Sequence, residues 1–164
     1  MPWRCCRKIR HHCRSSQVKA RTYEIFGEIA RKNLFALPGA GEFISRCREK
    51  GLKMALATSA DKVKMEINLT EIGLPPETFN SIITGEDVVN KKPFPDIYIK
   101  AAENLGLKPE ECLVVEDAVS GIRSGKTAGC RCLAVTTSFS ADALHEADWI
   151  YDSLLDVPDG VLEW

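Results

Sequence analysis

Short apolar segments alternate with helical segments along most of the sequence, and this alternation constrains the fold more than any other feature. Helical patterns of about 10 to 15 residues separate the apolar segments, which is typical of units of strand, helix and parallel strand. Strands joined in this way form right-handed crossovers in a parallel sheet. We therefore predict an α/β fold with a doubly wound parallel sheet. The predicted strands are 53–58, 81–84, 113–115, 132–135 and a weaker one at 149–150. The predicted helices are 18–32, 41–50, 61–72, 95–105, 119–128 and a short one at 141–146.

The length of 164 residues predicts one compact domain with a sizeable core. Apolar residues make up 45% and charged residues 27% of the sequence, which is ordinary for a globular protein. No apolar run approaches the roughly 18 residues that a membrane-spanning helix needs. We divide the chain into a basic tail at 1–17, a helix at 18–36 and a core domain at 37–164.

The N-terminal tail is basic. The first 22 residues contain no acid, and their Lys and Arg residues are Arg4, Arg7, Lys8, Arg10, Arg14, Lys19 and Arg21. The tail lacks the apolar core of a secretory signal, and we favour a disordered segment over an organelle transit peptide. Binding to nucleic acid is a further hypothesis, but no aromatic residues interleave the charges, so we expect no nucleic-acid partner.

The sequence contains seven cysteines, three of them in the tail. Cys5, Cys6 and Cys13 lie beside His11 and His12, but their spacing matches no closed zinc site and the neighbouring positive charges oppose a cation. The other four lie in apolar segments, where a free cysteine behaves as a small buried hydrophobe. A reducing, cytoplasmic location is the interpretation that fits best, with organelle targeting by the basic N-terminus as the alternative.

Thr58, Ser59 and Ala60 follow the first predicted strand, at the edge of the sheet where doubly wound folds bind ligands. A hydroxyl group and successive backbone N–H groups at the start of a helix can hold an oxyanion. Thr58 and Ser59 are also typical helix N-caps. Taken alone, these residues favour the capping role over phosphate binding.

Lys92 lies in a segment that Pro93 and Pro95 stiffen before a predicted helix. A lysine held there can present a compact positive charge to a phosphate. A solvated surface lysine is the more common role, and Asp96 is typical of an acid in a first helical turn.

Glu116 and Asp117 end the most apolar predicted strand, directly before a helix. Burying carboxylates is costly unless a cation or hydrogen-bond donors compensate. Mg²⁺ prefers one or two carboxylates together with water and phosphate oxygens, so this pair predicts a magnesium site. The alternative is a capping acid beside a solvent-facing one.

Four segments together resemble the haloacid-dehalogenase superfamily, and most of all its β-phosphoglucomutase-like phosphatases. The resemblance extends from about Leu37 to Val157. The segments are Leu37-Pro38-Gly39, Leu56-Ala57-Thr58-Ser59-Ala60, Lys92-Pro93-Phe94-Pro95-Asp96-Ile97-Tyr98 and Val114-Val115-Glu116-Asp117-Ala118-Val119-Ser120-Gly121-Ile122.

The resemblance implies a phosphoryl-transfer site in which charge neutralisation and positioning do most of the work. The implied catalytic residues are Lys92 and Thr58. The implied phosphate-binding residues are Thr58, Ser59, Ala60 and Lys92. The implied magnesium ligand is Asp117, assisted by Glu116.

The family's nucleophile is the first residue of an Asp-x-Asp motif that ends its first strand, and this motif is missing here. No Asp precedes Asp61, and residues 1–17 are basic where an apolar strand would stand. We therefore expect the nucleophile, one metal ligand and the central strand between 53–58 and 112–116 to be lacking, together with most of the family's cap. We interpret the sequence as truncated or misread upstream, or as one that a partner chain completes with a strand.

The function implied is that of a magnesium-dependent hydrolase of a small phosphomonoester, such as a sugar or nucleotide phosphate, inactive or incomplete as written. The alternatives are a non-catalytic module that binds phosphate or a partner, and a relative of the phosphosugar mutases. The expected ligands are Mg²⁺ and a small phosphorylated metabolite, with no membrane partner and with a strand-donating chain or a homo-oligomer as further partners.

Overall fold

The computed structural model describes residues 8–163, and the side chains from Ser16 onward. The described residues form five helices and five strands, with short 3-10 helices before β2, before β3 and near the C-terminus. The helices are α1 (Lys8–Asn33), α2 (Ala40–Glu49), α3 (Lys62–Glu71), α4 (Asp96–Leu105) and α5 (Val119–Ala128). The strands are β1 (Ala55–Ala57), β2 (Ser81–Ile83), β3 (Leu113–Glu116), β4 (Arg131–Val135) and β5 (Trp149–Tyr151).

Every strand pairing is parallel, as the alternation of strands and helices predicts. β1 pairs with β2, and separately β3 pairs with β4 and β4 with β5. Positive-φ glycines end two of the crossover helices, Gly106 after α4 and Gly129 after α5. Because glycine adopts this left-handed conformation without steric cost, the chain turns there toward the next strand.

The core has two layers, one on each face of the larger sheet. Cys132 and Ala134 of β4 face the cluster that contains residues of α4 and α5, whereas Leu133 and Val135 face α2 and the C-terminal segment. Side chains alternate between the two faces of a strand, so an apolar β4 is buried on both sides. This arrangement confirms the prediction of a doubly wound α/β fold.

A slot separates the two groups of strands, and we call it the interstrand slot. It is a cavity of about 470 Å³ whose edges are Ala55–Ala57 of β1 and Leu113–Glu116 of β3. Side chains of α2 cover one face of it and side chains of α4 cover the other. In the part of the chain that the structure describes, no strand lies between β1 and β3. The slot therefore occupies the position at which the expected central strand is missing.

The N-terminal helix is longer than predicted. α1 begins at Lys8 and not near residue 18, so residues 8–17 are helical where we expected a disordered tail. Lys, Arg and Gln are good helix formers, and no Gly or Pro interrupts residues 8–17. The remaining residues of the predicted tail, 1–7, lie outside the described part of the chain.

The short helix predicted at 141–146 is a series of turns. The N–H groups of Ala143, Leu144 and Ala147 bond the carbonyl three residues earlier, which is turn bonding, and the single α-type bond, from the Leu144 N–H to Ser140 O, is not continued. Leu144 is fully buried by this arrangement, and its packing outweighs the helical preference of the segment. No helix in the described range is long and apolar enough to cross a bilayer.

Four cysteines were predicted to be buried, and the structure confirms this for three of them. Cys47, Cys130 and Cys132 are buried, whereas Cys112 is half-buried. All four are free thiols. Burial raises the pKa of the Cys130 and Cys132 thiols to about 12, so both remain protonated at neutral pH. This agrees with their predicted role as small hydrophobic core residues.

Candidate active site

The carboxyl ends of β1 and β3 meet at one side chain, that of Lys92. Its Nζ lies 3.2 Å from Ala57 O, at the end of β1, and 2.5 Å from Glu116 Oε1, at the end of β3. Carboxyl ends of parallel strands in one doubly wound fold lie at the same edge, where ligands bind. The structure thus brings together two of the strand ends that the sequence marked.

Lys92 is held in a nearly buried position. Its side chain is 10% exposed, and Nζ lies 4.8 Å from the centroid of the Tyr98 ring, within the range of a cation–π contact. The surface-lysine alternative is therefore wrong for this residue. A lysine so enclosed keeps its ammonium group in a fixed place near the strand ends.

Glu116 has both of its carboxylate oxygens occupied within the protein. Oε1 accepts hydrogen bonds from Lys92 Nζ and from the Tyr98 hydroxyl, the latter at 2.6 Å. Oε2 accepts from the backbone N–H groups of Asp117 and Ala118, at the start of α5. The negative charge thus lies at the positive end of a helix and beside an ammonium group. These contacts engage both carboxylate oxygens of Glu116 within the protein, with Lys92 as the ion-pair partner.

Tyr98 supports this arrangement from α4. Burial, and secondly the charge of Glu116, raise the pKa of the Tyr98 hydroxyl well above its usual range. The group therefore stays protonated and acts as a permanent donor to the carboxylate. Gly121 contributes by lacking a side chain, because a Cβ there would overlap the carboxylate of Glu116.

Asp117 points to a different set of partners. Its Oδ2 accepts hydrogen bonds from the hydroxyls of Thr137, at 3.2 Å, and Ser138, both of which follow β4. The side chain is half-buried and makes no ion pair with a described residue. Asp117 is thus the more available of the two adjacent acids.

The segment Thr58–Ala60 forms a tight turn after β1. Thr58 Oγ1 accepts a hydrogen bond from the Ala60 N–H at 3.1 Å, and the Thr58 N–H bonds Ile83 O of β2. The N-cap of α3 is Asp61, whose side chain accepts from the Lys64 N–H. The capping alternative for Thr58 and Ser59 is therefore wrong, and the turn follows directly the carbonyl that Lys92 contacts.

A second loop supports this turn from β2. Gly85 packs against the carbonyl of Ser59 so closely that a Cβ would overlap it, and the Gly85 N–H bonds Ala60 O. The close approach fixes the position of the backbone after β1. It requires glycine at residue 85.

Four further residues belong to the site without having been predicted from the sequence: Tyr98, Gly121, Thr137 and Ser138. Tyr98 and Gly121 belong to the segments quoted for the resemblance, but nothing in their spacing shows that both contact Glu116. Thr137 and Ser138 follow β4 directly, so the rule that ligands bind beyond strand ends could have found them.

The residues at this edge are suited to Mg²⁺ in number and type but form no complete cage. Among the residues with described side chains, no cluster of three or more His, Cys, Asp or Glu is placed to hold a metal. Mg²⁺ needs few protein ligands, because water and phosphate oxygens complete its shell. Asp117, a half-buried carboxylate without a cationic partner among described residues, fits this requirement. The side chains of the tail cysteines and histidines, for which we expect no zinc site, lie outside the described ones.

The model of one protein family matches residues 4–135, which is most of the chain. Its description is haloacid dehalogenase-like hydrolase. The chain belongs to this family. The match confirms the resemblance that the four sequence segments indicate.

Individual members of the haloacid dehalogenase-like family resemble the chain over part of their length. Hexitol phosphatase A of Escherichia coli is 40% identical over 124 residues, which are 75% of this chain and 56% of that protein. The structure superposes with TM-score 0.76 on CbbY from Rhodobacter sphaeroides in complex with phosphate, at 28% identity, covering 86% of this chain and 64% of the other. It superposes with TM-score 0.74 on a β-phosphoglucomutase homologue from Thermotoga maritima, at 31% identity, covering 83% and 64%.

The chain spans only part of the relatives that it matches. It covers 12%, 59% and 56% of the lengths of three curated relatives. The matches therefore concern the part of the family fold that carries Thr58, Lys92 and Asp117.

Proposed function

We propose that this chain supplies the phosphate-binding and magnesium-binding part of a phosphatase site that acts on a small phosphomonoester. The observation that carries the proposal is the position of Lys92, whose ammonium group contacts the ends of both β1 and β3. The phosphoryl group would lie where these ends meet, between the Thr58 turn and Asp117.

The phosphate part of the proposal rests on the Thr58 turn and on Lys92. The turn offers the Thr58 hydroxyl and the Ser59 N–H next to the carbonyl that Lys92 contacts, since the N–H groups of Thr58 and Ala60 bond within the protein. Such groups bind phosphate oxygens, and a nearby ammonium stabilises the charge that develops in phosphoryl transfer. The similarity to hexitol phosphatase A and to CbbY, whose structure was determined in complex with phosphate, supports phosphate as the ligand.

The metal part of the proposal rests on Asp117. Mg²⁺ would bind this carboxylate, oriented by the hydroxyls of Thr137 and Ser138, with water and the substrate phosphate as its other ligands. The bound ion supplies neutralisation of phosphate charge. Glu116 would act indirectly, by holding Lys92 in place.

A second candidate function is phosphate binding without hydrolysis. The observation that favours it is the lack of any Asp-x-Asp motif in the sequence, and with it of the family's nucleophile. The retained residues bind and orient a phosphate in both functions. The two differ only in turnover.

The test measures phosphate binding and hydrolysis separately on the same purified chain. Binding of inorganic phosphate, with and without Mg²⁺, is followed by isothermal titration calorimetry. Magnesium-dependent hydrolysis is followed with an aryl phosphate. The variants are Lys92→Met and Asp117→Asn, with the exposed residues Lys62→Met and Asp142→Asn as matched controls. Circular dichroism shows that each variant is folded.

We expect phosphate affinity to fall at least tenfold in Lys92→Met, and its dependence on Mg²⁺ to vanish in Asp117→Asn. The controls should bind as the unaltered chain does. Turnover that disappears in Asp117→Asn supports a phosphatase, whereas binding without turnover supports the second function. Equal phosphate affinity in Lys92→Met and in its control would contradict both.

A further inference from the structure

The ammonium group of Lys91 lies beside the Thr58 turn and takes no part in the contacts described so far. A Cβ on Gly85 would overlap the carbonyl of Ser59 and would lie 3.2 Å from Lys91 Nζ. The ammonium group, Gly85 and the Ser59 backbone are therefore neighbours. Since Ser59 carries the N–H that the turn offers to a phosphate, a second lysine lies next to the candidate site.

Lys91 and Lys92 are adjacent in sequence but have different surroundings. Lys92 is nearly buried, and Ala57 O and Glu116 engage its ammonium group. Lys91 is exposed, and among the residues with described side chains it has no hydrogen-bond or ion-pair partner. A lysine ammonium is a compact point charge with three donors, so its charge is available to an anion from solution.

The backbone that carries Lys91 is held on both sides. Before it, Asn90 donates to Asp96 Oδ1 from its backbone N–H, at 3.3 Å, and from its side chain, at 3.0 Å. Lys91 O itself accepts from the Phe94 N–H at 3.0 Å. After it, Lys92 is fixed at the strand ends. The side chain of Lys91 therefore starts from a fixed point beside the turn.

The loop after β2 connects this fixed point to the turn. The Gly85 N–H bonds Ala60 O at 2.9 Å, which joins the loop to the turn directly. The backbone N–H and the hydroxyl of the buried Thr84 bond Asp87 Oδ2, at 2.8 and 2.7 Å. These contacts hold the loop in one conformation. The distance from the Lys91 ammonium to a phosphate at Ser59 thus depends on one lysine side chain.

The acidic residues closest to Lys91 in sequence bind other groups. Asp87 accepts from Thr84, and Asp96 accepts from Asn90. Glu86 Oε2 accepts from the Lys62 N–H, at the start of α3. The charge of Lys91 is therefore not balanced by the acids of its own segment.

The charges of the site indicate which ligand suits this lysine. A phosphate group carries up to about two negative charges at neutral pH. In the proposed site Lys92 and a magnesium ion at Asp117 already balance them. Lys92 approaches from the carbonyl before the turn, whereas Lys91 approaches from the loop after β2. A further ammonium group on a separate side of the turn is suited to a further anionic group of the ligand.

We propose that Lys91 determines specificity for phosphomonoesters that carry a second anionic group, a carboxylate or a second phosphate, close to the ester. The inference rests on the proposed function, because it takes the Thr58 turn as the place of the first phosphate. Lys91 binds the second anionic group, while the turn, Lys92 and Mg²⁺ bind the first. A phosphomonoester with an uncharged remainder lacks this contact and binds more weakly.

The test compares three phosphonates that the protein cannot hydrolyse. Methylphosphonate has no second anionic group, phosphonoacetate adds a carboxylate, and methylenebisphosphonate adds a second phosphonate. Isothermal titration calorimetry in excess Mg²⁺ gives the affinity of the unaltered chain and of Lys91→Met for each. An exposed charge pair at contact distance contributes about fivefold to affinity.

We expect the unaltered chain to bind at least one of the two-anion probes about fivefold or more tightly than methylphosphonate. Lys91→Met should lose most of this preference. The probe that shows the preference distinguishes a carboxylate from a phosphate as the second group. Lys91→Arg keeps the charge and should keep the preference.

Lys62→Met is the matched control. It removes the same charge from the first turn of α3, directly after the Thr58 turn, but from a lysine that pairs with Glu66. Its preference for the two-anion probes should equal that of the unaltered chain. Both lysines are exposed, so neither variant disturbs the core, and circular dichroism checks that each is folded.

Three results would overturn the inference while leaving phosphate binding in place. The first is equal affinity of the unaltered chain for all three probes. The second is an equal loss for all three in Lys91→Met, which makes Lys91 a ligand of the first phosphate. The third is the same loss of preference in Lys62→Met, which makes it an effect of overall charge. If the unaltered chain binds none of the probes, the proposed function fails and the inference fails with it.

Discussion

The Tyr98 hydroxyl donates a hydrogen bond to Glu116 Oε1 at 2.6 Å, and Lys92 Nζ contacts the same oxygen at 2.5 Å. One carboxylate oxygen thus joins α4, β3 and the segment that carries Lys92. The Glu116 carboxylate therefore positions the Lys92 ammonium group, and the Tyr98 hydroxyl holds the same carboxylate oxygen in place. Changes to any of the three residues should disturb the other two.

Replacing Tyr98 by Phe removes the hydroxyl and keeps the ring that lies 4.8 Å from Lys92 Nζ. A hydrogen bond to a charged group contributes about 1.5–3 kcal/mol, and Lys92 still pairs with the carboxylate, so we expect the free energy of unfolding to fall by about 1.5 kcal/mol. Urea unfolding followed by circular dichroism measures the change. A loss of less than about 0.5 kcal/mol would mean that Lys92 alone fixes Glu116.

Replacing Lys92 by Met leaves Glu116 without its ion-pair partner in a site where both side chains are nearly buried, at 10% and 13% exposure. Breaking such a pair costs about 3–5 kcal/mol, and we expect the lower end, because Tyr98 and two backbone N–H groups still bind the carboxylate. The matched control is Lys62→Met, which breaks an exposed pair with Glu66 at 3.9 Å. The control should lose no more than about 0.5 kcal/mol. Equal losses in both variants would show that burial adds nothing to the Lys92 pair.

Gly121→Ala places a methyl group where the carboxylate of Glu116 lies. Overpacking of this kind costs about 1–3 kcal/mol, and here it should also displace Glu116 from Lys92 and lower phosphate affinity. Gly41→Ala, in α2, is the control, because nothing lies within 4 Å of its added Cβ. Alanine is favoured over glycine in a helix by about 1 kcal/mol, so the control should be as stable as the unaltered chain or more so. Thermal unfolding and phosphate titration distinguish the two effects.

Alkaline pH should destabilise the fold before any backbone chemistry begins. Burial raises the pKa of the Cys130 and Cys132 thiols from 9.0 to about 12 and that of the Tyr98 hydroxyl above its usual 10.0. The unfolded chain releases these protons from about pH 9 upward while the folded chain retains them, so the unfolded state binds fewer protons and stability falls as pH rises. The free energy of unfolding should be level below pH 9 and decline between pH 9 and 12.

Urea unfolding under reducing conditions at pH 8, 9, 10 and 11 measures this decline. The double variant Cys130→Ala/Cys132→Ala removes the two thiols whose pKa is raised to about 12, so the decline should be shallower. Tyr98 and the buried or half-buried thiols of Cys47 and Cys112, whose pKa values burial also raises, still contribute to it. An identical pH profile in the double variant would mean that other groups cause the loss.

The convergence of Thr58, Lys92 and Glu116 could be predicted from the sequence because it follows from topology: parallel strands place their carboxyl ends at one edge. The partners of those residues could not. Whether Tyr98 reaches Glu116 depends on how α4 is rotated against the sheet, which is set by packing of residues distant in sequence. The different partners of the two adjacent acids could not be predicted either, since Glu116 bonds Lys92 and Asp117 bonds Ser138.

In two segments the structure differs from what local sequence preference predicts. Residues 141–146 include good helix formers, yet burial of Leu144 fixes them as turns. The high positive charge of residues 8–17 predicts a disordered tail, yet these residues form the first part of α1. In both segments the neighbouring structure determines the backbone conformation more than the local composition does.

The break between β1 and β3 also affects how the molecule opens. The pair β1–β2 shares no hydrogen-bond ladder with β3–β4–β5, so the smaller unit is held to the larger one by side-chain packing through helices such as α4. Proteins open in cooperative units that often coincide with such motifs, and a unit without a connecting ladder opens at lower free energy. Thr58 belongs to the smaller unit and Asp117 to the larger. The candidate site therefore lies across two units that can open separately. A phosphate that contacts both units would couple their opening.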